Sequence, residues 1–233
     1  MFTLLMRNWK ETLSLYPLAI KVKLKQLATF WQERRAYHTH SQFRKVDQRL
    51  FASYLWQNPY RTCHRFFQHK GQGLREHYGE TPLSTLATIA REANLSKEDV
   101  VFELGSGRGR ACFWLALFIG CEVHGIELVP RFIEKAERIK GHLRIDNLHF
   151  HRQNYLEGDY RQASFVYCYG TCLEDEAIWR LSQKLEGLPS GAQLLTISYP
   201  LQEIEPNAPF QLQKTFPVSF PWGETMAYLQ KRI

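Results

Sequence analysis

The stretch Val101-Phe102-Glu103-Leu104-Gly105-Ser106-Gly107-Arg108-Gly109-Arg110 decides the fold of this chain. The apolar run over 100–104 reads as a short buried strand, and the apolar run over 111–119 as a buried helix. Between them, glycines at alternate positions let the backbone turn tightly and come close to a ligand. The N–H groups opening the helix favour an anionic group such as a carboxylate. A strand that passes through glycines into a helix is the setting in which such a loop holds a ligand.

Outward from the loop, strands and helices alternate. Helices are predicted over 83–93, 131–145 and 174–185, with Pro130 in a first turn that accepts it. Strands are predicted over 122–128, 148–153, 164–169 and 193–199, with a turn at Pro189-Ser190-Gly191. The tail over 210–233 reads as two strands around Phe220-Pro221-Trp222-Gly223, an antiparallel hairpin. Repeated β–α units imply an α/β fold, a mostly parallel sheet with helices on both faces. Ligands of such sheets sit at the carboxyl ends of the strands, at the topological switch point.

The segment before residue 74 differs. It reads as mostly helical and amphipathic, broken at Pro17 and Asn58-Pro59, with a period-two strand signal over 20–25. Lys70-Gly71-Gln72-Gly73 suggests a hinge, so the chain divides into a basic region, 1–73, and a ligand-binding domain, 74–233. Residues 1–78 hold fourteen Lys or Arg and four Asp or Glu, a net of +10, in a chain of formal net charge +7. That excess suits an acidic or nucleic-acid surface as partner, and suits a solvated helical face equally.

With 233 residues and 44% apolar composition the chain can build a substantial core. The cysteines, Cys63, Cys112, Cys121, Cys168 and Cys172, are odd in number and lack zinc-knuckle spacing. Free thiols point to a reducing compartment. His149 and His151 alternate on one strand face and are read as ordinary side chains, so no metal is expected. No apolar run reaches the roughly 18 residues of a membrane span, and the N-terminus lacks a signal-peptide core. A cytoplasmic protein without integral membrane association is expected.

Two cofactor classes compete for the loop. A dinucleotide fingerprint needs a third glycine where this chain has Arg110. Glu103, two residues before Gly105, would crowd a pyrophosphate but suits an ammonium group, such as the methionine end of S-adenosylmethionine. Glu127 ends the next strand, where an acid can hold both ribose hydroxyls. Asn154 and Tyr155 follow the third strand, where an amide can bond the adenine edge and a ring can pack on its face. A hairpin after five parallel strands is the arrangement of a Rossmann-like class I methyltransferase.

Four motifs in order, His77-Tyr78-Gly79-Glu80-Thr81-Pro82, Glu103 to Arg110, Gly125-Ile126-Glu127 and Arg152-Gln153-Asn154-Tyr155, resemble the non-SET lysine methyltransferases of the disruptor-of-telomeric-silencing type and their bacterial relatives. The resemblance covers about residues 74 to 200. It implies that Tyr78, Gly79, Glu80 and Thr81 cover the methionine end of S-adenosylmethionine, which Glu103, Gly105, Ser106, Gly107 and Gly109 line. It implies Glu127 at the ribose, and Asn154 and Tyr155 where the family has an Asp and an aromatic at the adenine. On the fourth strand the family's histone enzymes carry an Asn pair, whereas this chain reads Phe165-Val166-Tyr167-Cys168-Tyr169-Gly170-Thr171-Cys172. The implied acceptor is a protein lysine, without implying a histone.

Methyl transfer from a sulfonium is a direct displacement, so the protein aligns reactants and excludes water. A lysine nucleophile must first lose its proton; its free value near 10.4 falls on desolvation. Tyr78, Tyr167 and Tyr169, with Tyr199, are candidates for an aromatic channel around it. The Pro82 context also allows a plainer reading of the upstream segment, with Thr81 as a helix cap. The alternatives are methylation of RNA or a small molecule, and a non-catalytic cofactor-binding module. The absence of an Asn/Asp-Pro-Pro-Tyr signature on the fourth strand counts against methylation of base amino groups.

Overall fold

The computed structural model describes residues 24, 27–69, 78–170 and 173–233. The strand signal at 20–25, apart from residue 24, lies outside the described residues, as do the 70–73 hinge, His77, Thr171 and Cys172. Seven strands form one sheet: β1 (Val100–Leu104), β2 (Glu122–Glu127), β3 (Leu148–Arg152), β4 (Phe165–Cys168), β5 (Gln193–Ile197), β6 (Phe210–Phe220) and β7 (Gly223–Arg232). Their order is β3-β2-β1-β4-β5-β7-β6. β1 to β5 are parallel, and β7 enters antiparallel between β5 and β6. The chain builds outward from β1 to β3, then restarts on the other side with β4, so the switch point lies between β1 and β4. This is the Rossmann-like arrangement with a terminal antiparallel hairpin.

Burial on both faces explains the apolar runs of the central strands. One face, with Val101, Val123, Leu148 and Phe165, packs against α2 (Ser41–Tyr54), α4 (Leu83–Glu92), α5 (Arg110–Trp114) and α6 (Pro130–Leu143). The other, with Phe102, Leu104, Val166 and Leu194, packs against α7 (Asp175–Leu185). The β3–β4 connection forms only a 3-10 turn, Tyr155–Glu157. Among the described residues no helix covers this second face over β2 and β3, where the Glu122 side chain is 48% exposed. The helix predicted over 111–119 is α5 continued by a π turn, Leu115–Ile119, which closes on Gly120 at φ +82°.

The described part of the basic segment, 27–69, is folded onto the sheet. Residues 27–37 form α1, followed by α2 and by α3 (Pro59–His69). α2 presents Phe43, Val46, Leu50 and Tyr54 at helical spacing to the same core as Val101, joined by Cys63 and Phe67 of α3. Its buried stripe also contains Asp47. The Asp47 carboxylate accepts from Arg110 at 2.8 Å and meets His38 at 2.8 Å. Arg110 also donates to Glu33 of α1 at 2.7 Å, and the second Glu33 oxygen accepts the Leu83 N–H at 2.5 Å. Glu33 thus caps α4. No helix among the described residues is long and apolar enough to cross a membrane.

Arg110→Ala should remove the cation shared by two buried carboxylates, leaving Asp47 only His38 and Glu33 only the Leu83 N–H, and cost about 3–5 kcal/mol in denaturant unfolding at pH 7. Burial pushes the Asp47 carboxyl up, but Arg110 and His38 outweigh it and hold it below its ordinary 3.8. A depressed folded pKa stabilises above the unfolded value and is lost as pH falls through the folded one. The difference between wild type and variant should therefore shrink on acidification below pH 3.8.

Candidate functional site

The glycine loop leaves the carboxyl end of β1 and is anchored to β2, where the Gly105 and Ser106 N–H groups both donate to the Ile126 carbonyl at 2.9 Å. Gly105, Gly107 and Gly109 lie in the left-handed region, at φ +82°, +54° and +78°. Each has its own reason. A Cβ on Gly105 meets nothing within 4 Å; one on Gly107 falls 3.0 Å from the Tyr78 ring; one on Gly109 falls 2.5 Å from Phe150. Gly105 thus faces open space, while Gly109, expected at the cofactor, seats α5 against the sheet. Ser106 is buried, with its Oγ 2.9 Å from where a Cβ on Gly125 would stand.

Glu127 occupies the end of β2. Its carboxylate accepts the Gly107 N–H at 2.8 Å and the Val129 N–H at 2.7 Å, which fixes it beneath the loop. Glu103 is buried on β1 and accepts from the Cys112 thiol at 2.8 Å. Burial pushes its carboxyl up to about 8, and the nearby negative charges of Glu80 and Glu127 add to the rise. A buried acid surrounded by acids is a place prepared for a cation.

The Tyr78 segment docks on the loop. Arg108 grips Glu80 with two parallel bonds, Nε to Oε1 at 2.5 Å and Nη2 to Oε2 at 2.7 Å. The Tyr78 hydroxyl donates to Glu80 and accepts from Arg108, and its ring lies on Gly107 and beside Phe132. Burial pushes the Glu80 carboxyl up, but Arg108 holds it below the usual carboxylate range. Glu80, expected to help cover the methionine end of the cofactor, has Arg108 as its partner. Thr81 is no helix cap. Pro82 takes the cap position without a side-chain bond, and the Thr81 hydroxyl pairs with the Tyr167 hydroxyl at 2.6 Å.

The remaining predicted residues separate. Tyr167 is buried, so it positions Thr81 and does not line a channel. Tyr169 is half-buried; its hydroxyl accepts from Trp222 Nε1 at 2.7 Å, its ring stacks on Phe220, and it lies against Gly79. The Tyr199 hydroxyl donates to the Gly170 carbonyl at 3.0 Å, at the end of the same strand. Asn154 uses its side-chain oxygen to cap the 3-10 turn through the Leu156 N–H, and Tyr155 packs on the second core. Sequence reasoning missed Glu33, Arg108 and Trp222. Arg108 was visible between two glycines, but nothing local pairs it with Glu80. Beside Val129, a groove of about 730 Å³ opens between α2–α3 and α6, lined by Trp56, Arg61, Arg65 and Arg131.

Solved structures share this fold. The crystal structure of an RNA methyltransferase from Salinibacter ruber in complex with S-adenosyl-L-homocysteine is similar at 22% identity over 66% of this chain and 93% of that one, TM-score 0.54. A geranyl diphosphate C-methyltransferase from Streptomyces coelicolor A3(2) is similar at 13% identity over 65% of this chain and 76% of that one, TM-score 0.56. The fold is that of the class I, Rossmann-like methyltransferases. The family model described as histone methylation protein DOT1 matches residues 65–168, so this part of the chain resembles the DOT1 catalytic core. No curated protein matches the sequence.

The raised Glu103 has a measurable consequence. A carboxyl raised in the folded state stabilises fully below its unfolded value, 4.5, and loses that contribution as pH rises through about 8. Unfolding free energies of the ligand-free protein should fall across this window by up to about 1.4 kcal/mol per pH unit. Glu103→Gln should flatten the slope.

Proposed function

We propose that this protein transfers a methyl group from S-adenosylmethionine to a lysine side chain of a protein. The observation that carries the reading is the buried, raised Glu103 below a glycine loop onto which Arg108 and Glu80 clamp the Tyr78 segment. The residues present fit the cofactor. Glu103 meets the ammonium, the open face at Gly105 admits the methionine end, and Tyr78, Gly79, Glu80 and Thr81 close over it. Glu127 holds the ribose, with Asn154 and Tyr155 at the adenine. The sulfonium supplies an already activated methyl group.

Beyond that, this chain aligns the acceptor and keeps water out. Tyr78 stays protonated, because burial and the neighbouring Glu80 push its hydroxyl well above the ordinary value. It therefore acts as a fixed wall and hydrogen-bonding group, not as a base. Tyr169, held by Trp222 and Phe220, forms the facing wall. The family match at residues 65–168 supports a lysine acceptor. The basic N-terminal region then offers a docking surface for the acceptor or for an acidic neighbour. A second reading, RNA as acceptor, is favoured by the groove with Arg61, Arg65, Arg131 and Trp56, the last 91% exposed.

Incubation with labelled S-adenosylmethionine and cell lysate should place label on protein lysines; label in RNA instead would select the second reading. S-adenosylmethionine or its demethylated product should raise the melting temperature by mass action, and NAD should not. Glu127→Ala should weaken binding of the demethylated product by about 1.5–3 kcal/mol in calorimetry, and unchanged affinity would remove Glu127 from the ribose.

A further inference from the structure

The second face of the sheet, where no described helix covers β2 and β3, carries a cluster that the methyl-transfer site does not use. Phe102 pairs in register with His124, and His124 with His149. Paired residues of parallel strands project to the same face, and strands lie about 4.8 Å apart. Flat rings therefore stack across them: Phe102 and His124 at 4.5 Å and 4°, His124 and His149 at 4.9 Å and 29°. Glu122 and His151, two residues away along their strands, share that face. His124 Nε2 lies 3.0 Å from Glu122 Oε1, and His149 Nε2 lies 3.7 Å from the same oxygen. The ligand atoms of Glu122, His124 and His149 all fall within 4.8 Å of one another.

We infer that Glu122, His124 and His149 bind a divalent transition metal of the zinc class, with His151 orienting His124. Donors about 2.0–2.2 Å from zinc in tetrahedral arrangement stand roughly 3.2–3.6 Å apart. The 3.0 and 3.7 Å separations bracket that value. The 41% exposed His149 and the exposed Glu122 have room to close the rest. Two imidazoles and one carboxylate suit zinc, cobalt or nickel, whereas calcium and magnesium take oxygen ligands. A ligating histidine donates its other ring N–H to a fixed acceptor. His151 Nε2 stands 2.9 Å from His124 Nδ1 for that purpose. Metal and proton are alternatives between His124 Nε2 and Glu122. Without metal, Nε2–H donates to Glu122 and His151 donates to Nδ1. With metal, both imidazoles change tautomer, and Nδ1–H donates to His151, with no net change of charge on either ring.

Glu122 opens β2 and Glu127 closes it, so this site lies toward the strand end away from the glycine loop. Its ion would tie the edge strand β3 to β2 where the β3–β4 connection supplies no helix. The inference is independent of the methyl acceptor. It is tested on the full, untagged chain by dialysis against ZnCl2 with metal analysis, and by visible absorption after loading with CoCl2. One bound metal per chain and a raised melting temperature are expected. His149→Ala, at a half-buried position, and Glu122→Gln, at an exposed one, should each reduce zinc affinity at least tenfold. His151→Ala should reduce it about 10–100-fold. Stoichiometric zinc binding that none of the three variants weakens, or no zinc retained by the folded wild type, overturns the site.

Discussion

Two arginines, two positions apart, hold three carboxylates from separate parts of the chain at one end of the sheet. Arg108 holds Glu80, and Arg110 holds Glu33 and Asp47. Such pairs are costly to bury and stabilise only when nearly every donor and acceptor is used. Each acid here has a further partner: Glu33 caps α4 through Leu83, Asp47 meets His38, and Glu80 meets Tyr78. Because both arginines sit where the glycine loop becomes α5, the loop geometry and the docking of α1, α2 and the Tyr78 segment are a single arrangement. A basic N-terminal region tied in this way helps to build the candidate site rather than merely preceding it.

The sheet was legible because burial on both faces writes apolar runs into the central strands. The loop was legible because positive φ at Gly105, Gly107 and Gly109 leaves few alternatives to glycine. What could not be read were partners distant in sequence. Arg110 and Glu33 are 77 positions apart, and Arg108 and Glu80 are 28 apart. No periodicity records which acid an arginine meets. Tyr167 shows the same limit: an aromatic beside a strand end serves equally as channel wall or core, and its pairing with Thr81 decided for the core.

His124 gives the complementary case. Period-two spacing placed His149 and His151 on one face, but only the register of β2 against β3 brings His124 between them. A strand slip of one residue would have sent every side chain to the opposite face. The cluster is thus a property of the sheet and not of a motif.

Within the proposed function, the contrast between Glu80 and Glu103 orients the ligand. Both acids belong to the same neighbourhood, yet Arg108 neutralises Glu80 while Glu103 is met by a thiol and by further negative charge. The site therefore has one compensated acid and one that gains from an incoming cation. A zwitterionic amino-acid group finds its positive end drawn toward Glu103. Had Arg108 paired with Glu103 instead, the pocket would lose its preference for an ammonium. The clamp between Arg108 and Glu80 thus does two things: it holds the Tyr78 segment over the loop, and it keeps the guanidinium engaged away from the acid that the ligand must reach.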